Sequence, residues 1–217
     1  TPSLFDDPSE ESDNQDDGLP AANTIANTEH VYRIADTNAL QDELISLLLL
    51  QNEFAFDTET SGLDSIDTDL IGMSFSFKAH EAWFVPTSAD FDTTKAIVEK
   101  FKVVLENEQI IKIGHNIKFD WQVIRQYGAE IKAPFYDTMV AHYLIDANQR
   151  HKMDFLSENY LQYTPVPIEA LIGKAGKKQK SMTEVPLKDL AEYAAEDADV
   201  TFQFKQKFEP LLIQKGH

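Results

Sequence analysis

Asp57 and Glu59 end a short apolar run at a place where two carboxylates could take part in chemistry. The run 54–56 predicts a buried strand. Because alternate residues of an extended strand point to the same face, Asp57 and Glu59 lie on one face of it. Two carboxylates side by side on a buried strand repel each other unless a proton or a cation lies between them. If the strand ends before Asp57, both are solvated turn residues. The spacing alone leaves these two interpretations open.

Asn116 and Asp120 form a second polar pair, directly after an expected strand at 110–114. Residues four apart share a helix face, so the amide and the carboxylate point the same way from the first turn of a helix. The ordinary interpretation is a helix cap at Asn116, with Asp120 complementing the positive end of the helix dipole. Taken alone, the pair favours that ordinary interpretation.

Tyr193 and Asp197 have the same spacing in an expected helix near the end of the sequence. A hydroxyl and a carboxylate therefore lie on one face of that helix. Its small residues allow it to pack closely against another element: Ala191, Ala194, Ala195 and Ala198. The alternative is an amphipathic helix with a solvated acidic side, in which Glu196, Asp197 and Asp199 would be interchangeable surface charges.

The composition limits the kinds of function that are open to this chain. It has 217 residues and no cysteine, which excludes a disulfide scaffold, a thiolate metal site and a cysteine nucleophile. The net charge of −18 is unusual for a non-specific nucleic-acid binder, so any such role must come from a site. The longest aliphatic stretch, 45–50, is too short to cross a bilayer, and no signal peptide opens the chain. Since the first residue is Thr1, we expect a fragment of a longer protein.

The chain divides into an acidic arm and one domain. Residues 1–28 are acidic, rich in Ser, Asp, Asn and Pro, and nearly free of aromatic residues, which predicts a disordered linker or arm. Residues 29–217 form the domain. The patterns predict strands at 30–35, 53–59, 70–77, 82–86 and 110–114. They also predict one helix that begins at 37 or 38, and further helices at 92–106, 116–128, 137–146, 153–161 and 187–209. Three antiparallel strands followed by alternating strands and helices favour a mixed α/β sheet covered by helices.

The three acidic motifs, in their order along the chain, resemble the three exonuclease motifs of the DEDD 3′–5′ exonucleases. The subgroup is the one with Tyr in the third motif, and the similarity extends to the proofreading domains of the bacterial DNA polymerase I family, the family A polymerases. The resemblance covers about residues 30–212. It rests on FAFDTETSGLD (54–64), KIGHNIKFDWQVIRQYG (112–128), FYDTMVAHYLI (135–145), RHKMDFLSENYL (150–161) and YAAEDADVT (193–201). It implies an RNase H-like (DnaQ-like exonuclease) fold, a mixed sheet whose first three strands are antiparallel, flanked by helices.

The resemblance also implies a catalytic site built around two divalent cations, Mg²⁺ or Mn²⁺. Hydrolysis of a phosphodiester needs a nucleophile and neutralisation of the leaving oxygen, and two cations about 4 Å apart supply both. Asp57, Glu59 and Asp197 would hold one cation, Asp57 would bridge to the second, and Asp120 would contribute partly through water. Tyr193 would orient the attacking water, because its ordinary pKa of about 10 makes it a poor general base.

The same resemblance implies substrate contacts from four residues. Leu63 would wedge against the terminal base, Asn116 would hydrogen-bond the 3′ nucleotide, Arg150 would meet a phosphate, and Thr58 would lie against the substrate. Leu63 as a turn residue and Arg150 as a solvated charge remain equally open. A stacking aromatic residue is expected near position 168, but the chain has Ile168 there.

The resemblance assigns no role to the basic segment 173–180 or to three of the histidines. The segment 173–180 contains four lysines and two glycines, and it is either a loop that tracks single-stranded phosphates or a solvated loop. His115, His142 and His151 lack the spacing of metal ligands, so we expect them to be packing or surface residues.

The combined prediction is an exonuclease that removes nucleotides from the 3′ end of single-stranded or frayed DNA and releases 5′-monophosphates. Its expected setting is proofreading within a monomeric DNA polymerase I, with a polymerase domain following and a 5′ nuclease domain possible before it, in the cytoplasm at the nucleoid. One alternative is a ribonuclease D-like RNA exonuclease, against which the segments in 135–161 argue. The other is a catalytically silent structural module, which the presence of all four acids disfavours.

Overall fold

One mixed sheet carries the architecture of the part of the chain that the structure describes. The structure is a computed structural model, and it describes residues 23–174, 176 and 179–216. The strands are β1 (Val31–Ile34), β2 (Glu53–Thr60), β3 (Leu70–Lys78), β4 (Glu81–Pro86), β5 (Ile111–Gly114) and β6 (Phe135–Asp137). Within the described residues they form a six-stranded sheet in the order β1-β4-β3-β2-β5-β6.

The pairing of the strands confirms the antiparallel centre expected from the sequence. β3 runs antiparallel to both of its neighbours, β2 and β4, while β5 is parallel to β2 and β6 is parallel to β5. The short edge strand β1 pairs in parallel with β4, a position that the sequence pattern did not reveal. The turn between β3 and β4 is made by Ala79 and His80, and His80 has a left-handed backbone with φ 65°.

The helices cover both faces of this sheet. They are α1 (Asn38–Leu48), α2 (Phe91–Leu105), α3 (Ile117–Gln126), α4 (Thr138–Ile145), α5 (Met153–Leu156), α6 (Ile168–Ile172) and α7 (Leu187–Lys215). The helix expected at 153–161 is divided into α5 and a π-helical turn, Ser157–Leu161. α6 and the 3₁₀ turn Met182–Glu184 were not predicted, because each is too short to show a helical period.

Strand β2 sorts its residues between the two faces of the sheet. Phe54 and Phe56 are fully buried in a core shared with α1, α2 and α3. Ala55, between them, belongs to a different cluster that includes Phe202 of α7. Because alternate residues of a strand share a face, the odd-numbered positions of β2 continue toward α7. Asp57 and Glu59 therefore lie on the α7 side.

Helix α7 lies close against the sheet because its inner face is made of small residues. Ala194, Ala195 and Ala198 are fully buried, and the helix contacts β2, β3 and β4. The prediction ended this helix at 209, and the next residue is Pro210, which removes one helical hydrogen bond. That boundary is wrong: the helix continues through Pro210 to Lys215. A long helix anchored by packing can tolerate one proline near its end.

Residues 1–22 of the predicted acidic arm, 1–28, lie outside the described residues. Residues 23–28 form a turn that touches the domain: Asn23 bridges to Tyr163, and the N–H of Thr164 donates to the carbonyl of Asn23 at 2.9 Å. The division of the chain at residue 28 stays a prediction. Residues 175, 177 and 178 of the basic segment 173–180 also lie outside the description. Among the described residues, no helix has both the length and the apolarity to span a membrane.

Candidate active site

Three carboxylates converge between strand β2 and helix α7. Asp57 and Glu59 come from the α7-facing side of β2, and Asp197 comes from α7 itself. One carboxylate oxygen of each lies within 4.8 Å of the others. Glu59 is only 8% exposed, so the three charges meet in a largely desolvated place. The alternatives of a solvated turn at Asp57 and a solvated acidic face at Asp197 are both excluded.

Asp120 joins this cluster from the opposite side of β2. It lies in the first turn of α3, which packs on the face that holds Phe54 and Phe56. The even-numbered Thr58 points to that side, and Asp120 Oδ1 accepts both the Thr58 N–H at 2.9 Å and the Thr58 hydroxyl at 2.7 Å. Thr58, predicted as a substrate contact, therefore positions Asp120. In the Asp-Thr-Glu sequence, Asp57 and Glu59 thus face α7 and Asp197, while Thr58 between them holds Asp120, the fourth carboxylate of the cluster.

The start of α3 is capped from another element and not by Asn116. Asn116 has a left-handed backbone, φ 65° and ψ 46°, and among the described residues its side chain makes no capping bond. The backbone N–H groups of Asn116 and Ile117 instead donate to the Asp137 carboxylate, at 3.2 and 3.0 Å. Gly114 makes this tight corner possible, because a Cβ there would lie 2.7 Å from the Ile117 Cβ. Asn116 occupies the position before α3, as the ordinary interpretation expected, but its side chain does not cap the helix, and the residue lines the cleft.

The electrostatics of the cluster favour a cation. Burial raises the pKa of Asp57 from 3.8 to about 7. Burial, followed by repulsion from Asp57, also raises the pKa values of Glu59, Asp120 and Asp197 well above the usual range. Four clustered carboxylates cannot all be ionised together unless positive charge lies among them. Hard oxygen ligands suit Mg²⁺ or Mn²⁺, so the residues present fit a divalent cation.

Tyr193 lies beside Asp197, as the spacing predicted. Its hydroxyl hydrogen-bonds the Asp197 carboxylate. The negative charge of Asp197, and then burial, raise the pKa of Tyr193 far above its ordinary value. Tyr193 therefore stays protonated at physiological pH and acts as a hydrogen-bond donor, not as a base.

The cluster forms the floor of an open cleft of about 600 Å³. Its walls carry apolar side chains that follow β2 or belong to α3, α6 and the segment after α6: Leu63, Phe119, Ile168, Ile172 and Met182. Leu63 is 96% exposed, which is unusual for a leucine that serves only to cover a core. Thr58 and Asn116 also line the cleft, whereas Arg150 is exposed and lies outside the described lining.

Sequence reasoning missed His115 as a cleft residue. The histidine lines the cleft, its Nδ1 meets the Thr138 hydroxyl at 2.8 Å, and burial lowers its pKa to about 4. His142 and His151 are packing residues, as expected, with their Nδ1 atoms 2.7 Å apart. The only sequence signal for His115 was its position next to Asn116.

The sheet order and the acidic cluster against α7 define the RNase H-like fold of the DnaQ-like exonucleases. Among solved structures, NrnC of Brucella melitensis superposes with a TM-score of 0.64 at 22% identity, covering 87% of this chain and 84% of that one. RNase D of Trypanosoma brucei gives a TM-score of 0.66 at 18% identity, covering 83% of this chain and 65% of that one. At these identities the similarity concerns the fold.

The sequence identifies the family within that fold. A model of the 3′–5′ exonuclease family matches residues 32–213, and the chain belongs to this family. DNA polymerase I of Borreliella burgdorferi is 37% identical over 198 residues, which is 89% of this chain and 21% of that relative. The chain thus spans about a fifth of the curated relative that it matches.

Proposed function

We propose that the chain is the proofreading domain of a DNA polymerase I and hydrolyses 3′-terminal nucleotides of single-stranded or frayed DNA. The observation that carries the proposal is the meeting of Asp57, Glu59 and Asp197 within 4.8 Å, with Asp120 tied to the same strand through Thr58. Phosphodiester hydrolysis is the chemistry for which such an acidic, cation-binding cleft is suited. The products are nucleoside 5′-monophosphates.

Two divalent cations, Mg²⁺ or Mn²⁺, are the proposed cofactors. When bound, they lower the pKa of water and neutralise charge on the leaving oxygen. Asp57, Glu59 and Asp197 are the proposed ligands of the first, and Asp57 with Asp120 those of the second. The protein contributes a rigid set of oxygens, because each carboxylate is fixed by a strand or a helix.

The remaining site residues bind and orient the substrate. Tyr193, protonated and hydrogen-bonded to Asp197, holds a water molecule in line with the scissile phosphate. Leu63, exposed at the mouth of the cleft, separates the terminal base from the next one. Asn116 meets the 3′ nucleotide from the floor, and Arg150 meets a phosphate further along the strand. Ile168 provides apolar contact in place of an aromatic stack.

DNA is the proposed substrate because the sequence similarity is to DNA polymerases. The identity of 37% to a DNA polymerase I extends over 89% of the chain, whereas the similarity to RNase D is one of fold, at 18% identity. The net charge of −18 predicts weak binding of nucleic acid by this domain alone. The polymerase domain of the same monomer is therefore the proposed partner, in the cytoplasm at the nucleoid.

The test uses 5′-labelled single-stranded DNA and RNA of the same sequence, with Mg²⁺, Mn²⁺ or EDTA. We expect a ladder of products shortened from the 3′ end, with DNA degraded faster than RNA. EDTA should abolish the degradation. Asp57→Ala and Asp197→Ala should remove the activity, while Asp189→Asn, at an exposed acid of the same helix, should keep it. Unchanged degradation in both alanine variants would refute the site. Preference for RNA would favour the ribonuclease D alternative, and inactivity with every cation would favour the silent module.

A further inference from the structure

Two buried carboxylates of α7 flank the site without belonging to its acidic cluster. Glu196 is fully buried and Asp199 is 2% exposed. A buried carboxylate is unfavourable unless hydrogen bonds compensate its lost hydration. Both are compensated, but by different parts of the molecule, which gives the two residues different consequences for the site.

Glu196 uses both of its oxygens to hold one short segment, 163–166. The Tyr163 hydroxyl donates to Oε1 in a short hydrogen bond, and the Val166 N–H donates to Oε2 at 2.8 Å. Hydrogen bonds to an ionised group are among the stronger ones in proteins. The segment is thereby fixed to the residue directly before Asp197.

The segment that Glu196 holds leads straight into one wall of the cleft. After Pro167 it becomes α6 (Ile168–Ile172), a five-residue helix whose first turn lacks a side-chain cap among the described residues. Ile168 and Ile172 of this helix line the cleft. A helix this short has little stability of its own, so its position depends on how its ends are anchored. Glu196 provides the anchor at its beginning.

We propose that Glu196 is a positioning residue that fixes the α6 wall relative to Tyr193 and Asp197. It touches neither substrate nor cation. It sets how tightly the cleft holds the terminal nucleotide, because it keeps Ile168 and Ile172 at a constant distance from the acidic floor. This inference rests on the proposed exonuclease function.

Asp199 provides a matched comparison on the same helix. Its oxygens accept the Tyr32 hydroxyl and the His80 N–H, both at 2.8 Å, and the Gln203 amide at 2.9 Å. The bonds from Tyr32 and His80 fix strand β1 and the β3–β4 turn, neither of which lines the cleft, and the bond from Gln203 lies within α7. Loss of Asp199 should therefore lower stability without changing how substrate is held.

The experiment measures kcat, KM and the half-saturating Mn²⁺ concentration on single-stranded DNA with the 217-residue chain. Glu196→Ala should raise KM about tenfold, equivalent to about 1.4 kcal/mol, with kcat and the Mn²⁺ midpoint little changed. Glu196→Gln should restore KM, because its amide oxygen accepts the Val166 N–H and its NH₂ group donates to the Tyr163 oxygen. Asp199→Ala, or Asp199→Asn if the alanine variant does not fold, should leave KM unchanged.

Hydrogen exchange supplies a readout that does not depend on activity. Amides in the stretch 166–173 should exchange faster in Glu196→Ala than in the wild type or in the Asp199 variant. Unchanged exchange there, an equal rise in KM for the Asp199 variant, or a shift confined to the Mn²⁺ midpoint would each overturn the proposal. Absence of nuclease activity in the wild type would overturn the proposed function instead, while the exchange comparison would still decide whether Glu196 anchors α6.

Discussion

Replacing Asp57 by asparagine should make the protein more stable in EDTA while it removes activity. Burial raises the pKa of Asp57 to about 7 from 3.8. A carboxyl whose pKa is higher in the folded state stabilises that state at low pH and loses this contribution as the pH rises through the folded pKa. The loss therefore begins near pH 4 and is complete above about pH 7. Asparagine carries no charge at any of these pH values, so the Asp57→Asn variant does not lose this stability as the pH rises.

The size of the effect follows from the same shift. The gap between 3.8 and about 7, at about 1.4 kcal/mol per pH unit, amounts to about 4 kcal/mol at pH 8. Removing the charge also relieves Glu59 and Asp120, since Asp57 raises the pKa of both. The advantage of Asp57→Asn over the wild type should vanish near pH 4.

Urea unfolding followed by circular dichroism, from pH 4 to pH 8 in EDTA, measures this difference. The exposed Asp189→Asn variant is the control and should track the wild type. Mg²⁺ at a hundred times its dissociation constant should stabilise the wild type by about 2.7 kcal/mol and Asp57→Asn by much less. The reasoning is refuted if Asp57→Asn has no stability advantage at pH 8, or has the same advantage at pH 4.

Substitutions at three further positions test the residues that support the site or act in it. Thr58→Val should lower the free energy of unfolding by about 1.5 kcal/mol and reduce kcat, because Asp120 loses its hydroxyl donor. Thr58→Ser should keep the wild-type stability and kcat. Urea unfolding measures the stability, and steady-state kinetics measure kcat. Asp137→Ala should lower the free energy of unfolding by about 2 kcal/mol, because its carboxylate caps α3 and α4, and Asp137→Asn should recover part of the loss in the same assay. Tyr193→Phe should slow single-turnover hydrolysis by about tenfold or more without moving the Mn²⁺ midpoint; an unchanged rate would remove Tyr193 from the mechanism.

The sequence predicted the parts of the site that follow from local periodicity. The two-residue period of β2 correctly placed Asp57 and Glu59 on one face, and the four-residue spacing correctly joined Tyr193 to Asp197. These relations depend only on the geometry of one strand or one helix. They can therefore be read without knowing the fold.

The parts that were missed depend on contacts between distant segments. Asp137 caps α3 from twenty residues away, so the local rule that expects the Asn116 side chain to cap this helix does not hold. The burial of Glu196 depends on Tyr163, thirty-three residues earlier, so the acidic helix face could not be recognised as buried. Helix α7 continues through Pro210 because the packing of Phe208, Leu211 and Leu212 in a cluster with α4 and α5 outweighs the loss of one hydrogen bond.

Anomalous diffraction from crystals soaked in Mn²⁺ tests the central claim most directly. The claim is that strand β2 and helix α7 bring three carboxylates together to hold a divalent cation. We predict an anomalous peak in direct contact with Asp57, Glu59 and Asp197, which disappears in Asp197→Asn. Crystals in which Mn²⁺ binds only elsewhere, with these three side chains turned apart, would contradict it.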